Sequence, residues 1–240
     1  MKILVTFLTV AVIFASCTKK ESAEETPVVV GGPPAVLQGK ITFSGKASEP
    51  KPIKMAADPV CNTQNKTNPA TTETLLVGED KGLANVFVYV EGNFKPAEST
   101  EPVEFDQAGC RYIPHVVGVQ AGQTLRIKNS DSTLHNVNAQ AKTNSSFNVG
   151  MATRGQTVDK SFSKPEMVKF KCDVHGWMAG YVGVVKHPFF AVTDPEGSFT
   201  IPDVPSGDYT LVLWHEKLGE RRAPVTIASG GTPFAFEFQE

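Results

Sequence analysis

Hydrophobic residues along this chain come in short runs that alternate with polar residues and are separated by Gly, Pro and Asn. Such alternation is typical of β-strands joined by turns. The pattern predicts a strand over residues 36–43, and a turn followed by a strand over residues 81–90. Between residues 101 and 186, no segment has the capped, amphipathic pattern of a helix of ordinary length. We therefore expect an all-β fold.

Residues 101–186 have the most regular pattern. A turn over residues 129–131 leads into a strand that begins at His135, and a further β-prone run precedes Cys172. Other strands are expected at residues 103–105, 112–119, 124–128 and 180–185. These candidate strands and turns extend the β-rich pattern across residues 101–186.

The N-terminus has the features of an export signal. Lys2 is followed by an apolar run over residues 3–14, which is too short to span a bilayer comfortably, and then by two small residues and Cys17. This ending resembles the lipobox of bacterial lipoproteins, although Phe14 stands where that motif usually has Leu. The resemblance implies a signal peptide over residues 1–16, acylation of Cys17, and a lipid anchor in the bacterial cell envelope that faces the periplasm or the cell surface. The alternative is ordinary cleavage and a soluble periplasmic product.

Composition narrows the possible functions. The formal net charge of −2 over 240 residues is too small to suggest a nucleic-acid partner. Residues 17–35 are charged and then rich in Pro and Gly, so we expect them to form a disordered tether. The sequence has no nucleophile elbow, paired-carboxylate motif or phosphate loop, and we expect no enzymatic activity.

The segment that ends at Met178 carries the candidate chemistry. A thiolate, an imidazole and a thioether lie within seven residues at Cys172, His175 and Met178, and a second imidazole, His135, lies upstream. Two His and one Cys in a plane, with a weak axial Met, form a blue-copper site. The segment resembles the copper loop of the cupredoxins, with the C-x2-H-x2-M spacing of amicyanins. Structural zinc prefers four strong ligands and fits this set less well.

The resemblance implies a Greek-key β-sandwich over residues 101–186 that binds one copper ion. In that site His135 would be the upstream imidazole ligand and Cys172 the thiolate ligand. His175 would be the second imidazole, on the loop and nearer to solvent.

Three more residues belong to the expected site. Met178 would be the axial ligand, with Met151 as the alternative, and Asn136 matches the residue that ties the two ligand loops together in cupredoxins. The resemblance implies a monomeric electron carrier whose partner is a redox protein, such as a cytochrome or a dehydrogenase. The alternatives are a copper-delivery protein without redox turnover and a metal-free binding module.

A second resemblance concerns the C-terminal part of the chain. Residues 191–211 resemble the signature of carboxypeptidase regulatory-like domains, which are small transthyretin-like sandwiches, and residues 39–41 and 83–90 resemble its opening. We therefore expect residues 36–100 and 187–240 to form one split sandwich into which the cupredoxin-like domain is inserted. The alternative is two consecutive domains.

Apart from Cys17, two cysteines and three histidines remain outside this expected copper site. Because an exported protein can keep a disulfide, we pair Cys61 with Cys110; the alternative is two buried free thiols. His115, His187 and His215 are expected to be polar residues satisfied at a domain boundary, with a second metal site or a proton-linked site as the alternative.

Overall fold

The computed structural model describes residues 31–98 and 101–240. The predicted signal peptide, Cys17 and most of the predicted tether lie outside the described residues. The expected all-β fold is confirmed, because the described residues form sixteen strands and a single six-residue helix, α1 (Pro59–Gln64). No helix in these two ranges is long and apolar enough to cross a membrane.

The strands are arranged in four sheets. In chain order they are β1 (Pro34–Phe43), β2 (Phe87–Glu91), β3 (Val103–Ala108), β4 (Arg111–Ile113), β5 (Val116–Gln120), β6 (Leu125–Asn129), β7 (His135–Gln140), β8 (Phe147–Met151), β9 (Thr157–Lys160), β10 (Glu166–Lys171), β11 (Ala179–Val185), β12 (Phe190–Val192), β13 (Ser198–Pro205), β14 (Gly207–His215), β15 (Gly219–Ile227) and β16 (Thr232–Phe238).

The strands β3 to β11 build a first sandwich. Its two sheets have the strand orders β5-β11-β10-β7-β8 and β4-β3-β6-β9. Phe105 and Ile127 from one sheet share a hydrophobic core with Val137, Phe170 and Val182 from the other. The alternating sequence explains this core, because the first, third and fifth residues of β6 are buried while the residues between them are partly exposed.

The remaining strands build a second sandwich. Its sheets have the orders β13-β1-β16 and β12-β2-β14-β15. β1 runs antiparallel to β13 and parallel to β16, where Leu37 lies opposite Thr232. Leu37 and Val88 share a core with Leu211 and Leu213. Strands that precede and follow the first sandwich in the sequence therefore lie in the same two sheets.

Two strand boundaries differ from the predicted ones. The strand expected over residues 112–119 is two strands in different sheets, since β4 ends at Ile113 and β5 begins at Val116. Pro114 lies between them and has no N–H to donate to a ladder. β1 begins at Pro34, inside the range predicted to be tether.

Residues 51–72, here called the cover segment, lie elsewhere than expected. They were predicted to be part of the split sandwich, but Met55, Cys61 and Ala70 are buried in the core of the first sandwich. The expected pair of cysteines forms a disulfide, which joins Cys61 to Cys110 with an S–S distance of 2.01 Å. Apolar burial and this covalent bond together attach the cover segment to the first sandwich, so the prediction for these residues is wrong.

Candidate metal centre

The four predicted metal ligands lie at one end of the first sandwich. His135 is the first residue of β7, and Cys172 follows the end of β10. His175 and Met178 lie in the connection between β10 and β11. All four side chains are buried, with at most 3% of any residue exposed.

The donor atoms of three of these residues converge. His135 Nδ1 lies 2.9 Å from His175 Nδ1, and Cys172 Sγ lies 3.9 Å from His175 Nδ1. All three donor atoms lie within 4.8 Å of one another. Because first-row ions such as zinc bind nitrogen at about 2.0–2.1 Å and sulfur at about 2.3 Å, a single ion can contact this set with small adjustments. Imidazole and thiolate donors are also the chemical types that suit copper.

The connection that carries His175 and Met178 is closed by its own hydrogen bonds. The Met178 N–H donates to the His175 carbonyl at 2.9 Å, and the Cys172 N–H donates to the Met178 carbonyl at 3.2 Å. Met151, the alternative axial ligand, is buried opposite His135 in the β7–β8 ladder. The backbone of each methionine thus lies next to that of a predicted ligand, Met178 beside His175 and Met151 opposite His135. Met178 as the axial ligand stays a prediction.

The Cys172 sulfur receives several backbone hydrogen bonds. The N–H groups of Asn136 and His175 lie 3.5 and 3.4 Å from it. Burial alone would raise the pKa of this thiol, but hydrogen bonds from His135 and from these N–H groups lower the pKa. Since the thiolate is the form that binds metal, this environment favours a metal ligand.

Asn136 links the two segments that carry the ligands. Its Oδ1 accepts hydrogen bonds from the N–H groups of Asp173 at 2.6 Å and Val174 at 3.3 Å, and lies 3.3 Å from Cys172 Sγ. Its Nδ2 donates to Asp173 and to Asn148. The structure therefore brings Asn136 to the place where its predicted role requires it.

Two aspartates that the sequence analysis did not select hold the outer nitrogens of the imidazoles. His135 Nε2 lies 2.9 Å from Asp131 Oδ2, and His175 Nε2 lies 3.1 Å from Asp58 Oδ2. Carboxylates in this position orient metal-binding imidazoles and increase their basicity. The signal available for Asp58 is its place before Pro59, which is typical of a helix N-cap, but nothing in that pattern indicates His175.

Both aspartates are tied to the disulfide. Asp58 accepts a hydrogen bond from the Cys61 N–H at 2.9 Å, and Asp131 accepts one from the Cys110 N–H at 2.8 Å. Burial tends to raise the pKa of Asp58, but hydrogen bonds from the Cys61 N–H, from a threonine hydroxyl and from His175 lower the pKa to about 2. Burial tends to lower the pKa of His135, but Asp131 and the thiolate raise the pKa to about 9.

His175 was expected to be the imidazole nearer to solvent, but it is almost as fully buried as His135. Only 3% of the residue is exposed, because the cover segment lies over its outer edge. Asp58 contacts Nε2, Cys61 Sγ lies 3.9 Å from the same atom, and the Trp177 ring lies 4.9 Å from the imidazole ring. Sequence reasoning missed this cover because residues 51–72 are distant in sequence from His175.

The remaining histidines are buried near the junction between the sandwiches. His187 Nδ1 accepts a hydrogen bond from the Phe189 N–H, and His215 Nδ1 accepts from two backbone N–H groups that follow it. His115 Nε2 pairs with Glu216, but His115 Nδ1 has no hydrogen-bond partner among the described residues.

Solved structures that resemble parts of this chain include several copper proteins. A copper-containing nitrite reductase from Thermus scotoductus SA-01 is 21% identical with a TM-score of 0.34, over 37% of this chain and 23% of the reductase chain. A purple cupredoxin from Nitrosopumilus maritimus is 23% identical with a TM-score of 0.30, over 34% of this chain and 98% of its own. An oxidized amicyanin mutant is 24% identical with a TM-score of 0.33, over 40% of this chain and 97% of its own. The chain thus spans less than a quarter of the reductase, and similarities at this level carry no argument about function.

One family model matches residues 168–235 and is described as polysaccharide lyase family 4, domain II. The match begins in β10 of the first sandwich and ends in β16 of the second. It is not a transthyretin-like family, so it does not support the expected resemblance to carboxypeptidase regulatory-like domains. No curated relative matches the chain.

Proposed function

We propose that this protein is a one-electron carrier with a type 1 (blue) copper site formed by His135, Cys172 and His175, with Met178 as the axial ligand. The observation that supports this proposal is the convergence of two imidazole nitrogens and one thiolate sulfur within 4.8 Å. Copper, when bound, would supply the one-electron couple between Cu(I) and Cu(II).

The protein contributes a rigid and dry environment. Asp58 and Asp131 hold the outer nitrogens of the two imidazoles, and Asn136 holds the loop that carries the thiolate. Burial of these side chains excludes water from the donor atoms. A site held in this way changes little when its charge changes, which favours fast electron transfer. The same closure disfavours copper delivery, because a delivered ion needs an open route.

Trp177 is the proposed point of electron exchange with a partner. The outer edge of His175 is covered, whereas the partly exposed Trp177 ring packs against the His175 ring at 4.9 Å. Its Nε1 donates to the Cys110 carbonyl at 3.1 Å, which fixes the orientation of the indole. We infer that a redox protein, such as a cytochrome or a dehydrogenase, docks near this side chain in a small, transient interface.

Location and domain organisation are also part of the proposal. The apolar run before Cys17 supports export, and acylation of Cys17 would anchor the protein in the cell envelope. The pairing of β1 and β2 with strands beyond residue 185 supports a single split sandwich as the second domain. We propose that this domain has no catalytic role and that the protein acts as a monomer.

The absorption spectrum of the oxidised, copper-loaded protein tests the proposal. We expect an intense visible band from charge transfer between the Cys172 thiolate and Cu(II), and its loss in Cys172→Ser. Met151→Leu is the matched control, since it replaces another buried sulfur next to the cluster and should keep the band. A band that persists in Cys172→Ser would contradict the assignment.

A further inference from the structure

A cavity with charged side chains in a largely apolar wall lies where the cover segment and the two sandwiches meet. Its volume is about 200 Å³. Trp177 and Met178 lie on its wall, so it adjoins the proposed copper site. Four charged or titratable side chains also line it: Glu73, Arg111, His115 and Glu216. None of these four side chains has a role in the proposed electron carrier.

His115 presents an unpaired nitrogen in this cavity. Its side chain is 7% exposed, and its Nε2 lies 2.5 Å from Oε1 of Glu216, which is itself held by the Tyr181 hydroxyl at 3.0 Å. A carboxylate can only accept, so His115 Nε2 carries the proton of this hydrogen bond. In the neutral ring, Nδ1 is then a lone-pair donor, and Nδ1 is buried without a partner among residues 31–98 and 101–240.

Glu73 lies near this nitrogen but does not contact it directly. Glu73 Oε2 lies 3.9 Å from His115 Nδ1. This distance is too long for a hydrogen bond, which needs about 2.7–3.2 Å. It is shorter than the sum of a metal–nitrogen bond of about 2.0–2.1 Å and a metal–oxygen bond of about 2.0–2.2 Å, so one ion can contact both atoms. Arg111 lies 3.5 Å from Glu73 Oε1, the other carboxylate oxygen, and leaves Oε2 turned toward His115.

We propose that His115 Nδ1 and the Glu73 carboxylate form a second metal site, which binds a divalent transition-metal ion such as Zn²⁺. Glu216 is the positioning residue, because metal-binding histidines ordinarily donate their other ring N–H to a carboxylate. An imidazole ligand selects a transition metal over Mg²⁺ or Ca²⁺, which prefer oxygen donors. The cavity has room for water molecules that complete the coordination.

The competing interpretation is an ion pair without metal, in which a protonated His115 lies between two carboxylates. Glu73 is 23% exposed, and its ion pair with Arg111 uses Oε1 and not the oxygen that faces the ring. An imidazolium would attract this carboxylate to direct hydrogen-bond distance. The 3.9 Å distance between Glu73 Oε2 and His115 Nδ1 therefore favours a bound metal ion. The hydrogen bond from His115 Nε2 to Glu216 favours it too, because metal-binding histidines ordinarily make such a bond.

Zinc binding to the copper-loaded protein tests the inference. The full chain is first loaded with one equivalent of copper and then dialysed against Zn²⁺, and both metals are measured by elemental analysis. We expect one Zn²⁺ per chain in the wild type and none in Glu73→Gln or His115→Asn, with the blue band unchanged. Glu216→Gln should weaken Zn²⁺ binding by about 10–100-fold. His187→Asn, which changes another buried histidine at the same junction, should still bind one Zn²⁺.

The outcome does not depend on the blue-copper assignment. Cys172→Ser should retain the second site, so a Zn²⁺ ion lost on adding Glu73→Gln to that variant would support the proposal even if no blue band forms. Far-UV circular dichroism of each variant identifies any loss of fold, and the partly exposed Glu73 provides a variant with little structural risk. Absence of Zn²⁺ from the wild type, or its retention in a folded Glu73→Gln variant, would overturn the proposal.

Discussion

Removing the disulfide between Cys61 and Cys110 should reduce stability and open the edge of His175. The bond closes a loop with a sequence separation of 49 residues. In the chain-entropy account of disulfides, a loop of this length contributes about 4 kcal/mol to the free energy of unfolding. We therefore expect Cys61→Ala combined with Cys110→Ala to lose about 4 kcal/mol.

The same variant should lose copper faster. Each cysteine N–H donates to one of the aspartates that hold the ligand imidazoles. The cover segment would remain attached by weaker contacts, including the hydrogen bond at 2.7 Å between the Thr133 hydroxyl and Asp58. Water and chelators would then reach His175 Nε2 more often.

Two measurements check this prediction. Guanidinium denaturation followed by far-UV circular dichroism gives the change in unfolding free energy, and transfer of copper to a colorimetric chelator gives the rate of loss. Thr226→Ala removes an exposed hydrogen bond in the second sandwich and serves as the control, with an expected effect within about 0.5 kcal/mol. A double variant that stays within about 1 kcal/mol of the wild type, against the expected ~4, and releases copper at an unchanged rate, would refute the reasoning.

Three further predictions follow from contacts described above. Asn136→Ala should lower copper affinity by about 10–100-fold, measured by competition with a chelator, because the loop that carries Cys172 loses its tie to β7; an unchanged affinity would contradict this role. Burial lowers the pKa of His187 from 6.5 to about 4, so the unfolded state binds more protons between these values and stability falls as pH falls through this range. From pH 7 to pH 4.5 this histidine should account for about 2–3 kcal/mol of lost stability, and the loss should be smaller in His187→Asn when denaturation is compared at the two pH values. Phe170→Ala should destabilise the first sandwich by about 3–5 kcal/mol in the same assay, since the ring is fully buried among Phe105, Tyr112 and Phe162; a loss below about 1 kcal/mol would show that this core can relax.

The parts of the structure that could be predicted are those determined by local pattern. Cys172, His175 and Met178 lie close together because they are near in sequence, and alternation identified strands such as β3, β6 and β11. The pairing of Cys61 with Cys110 depended on few cysteines being available, and the structure shows the bond.

The parts that could not be predicted depend on contacts between distant residues. Asp58 meets His175 across 117 positions, and no local pattern predicts that contact. The cover segment has no strand alternation that would assign it to either sandwich, and its buried residues determine where it lies. The sequence likewise could not predict that His115 Nδ1 is unpaired, because this depends on Glu216, 101 residues away, pairing with the other ring nitrogen.

The position of β1 has a consequence for the order of assembly. Its two neighbours, β13 and β16, are synthesised more than 150 residues later, so the strand waits with both edges unpaired while the first sandwich can already close. During synthesis, β1 is therefore an unpaired strand that precedes an already folded first sandwich. Any truncation that removes β16 would leave one edge of β1 permanently unpaired and open to aggregation.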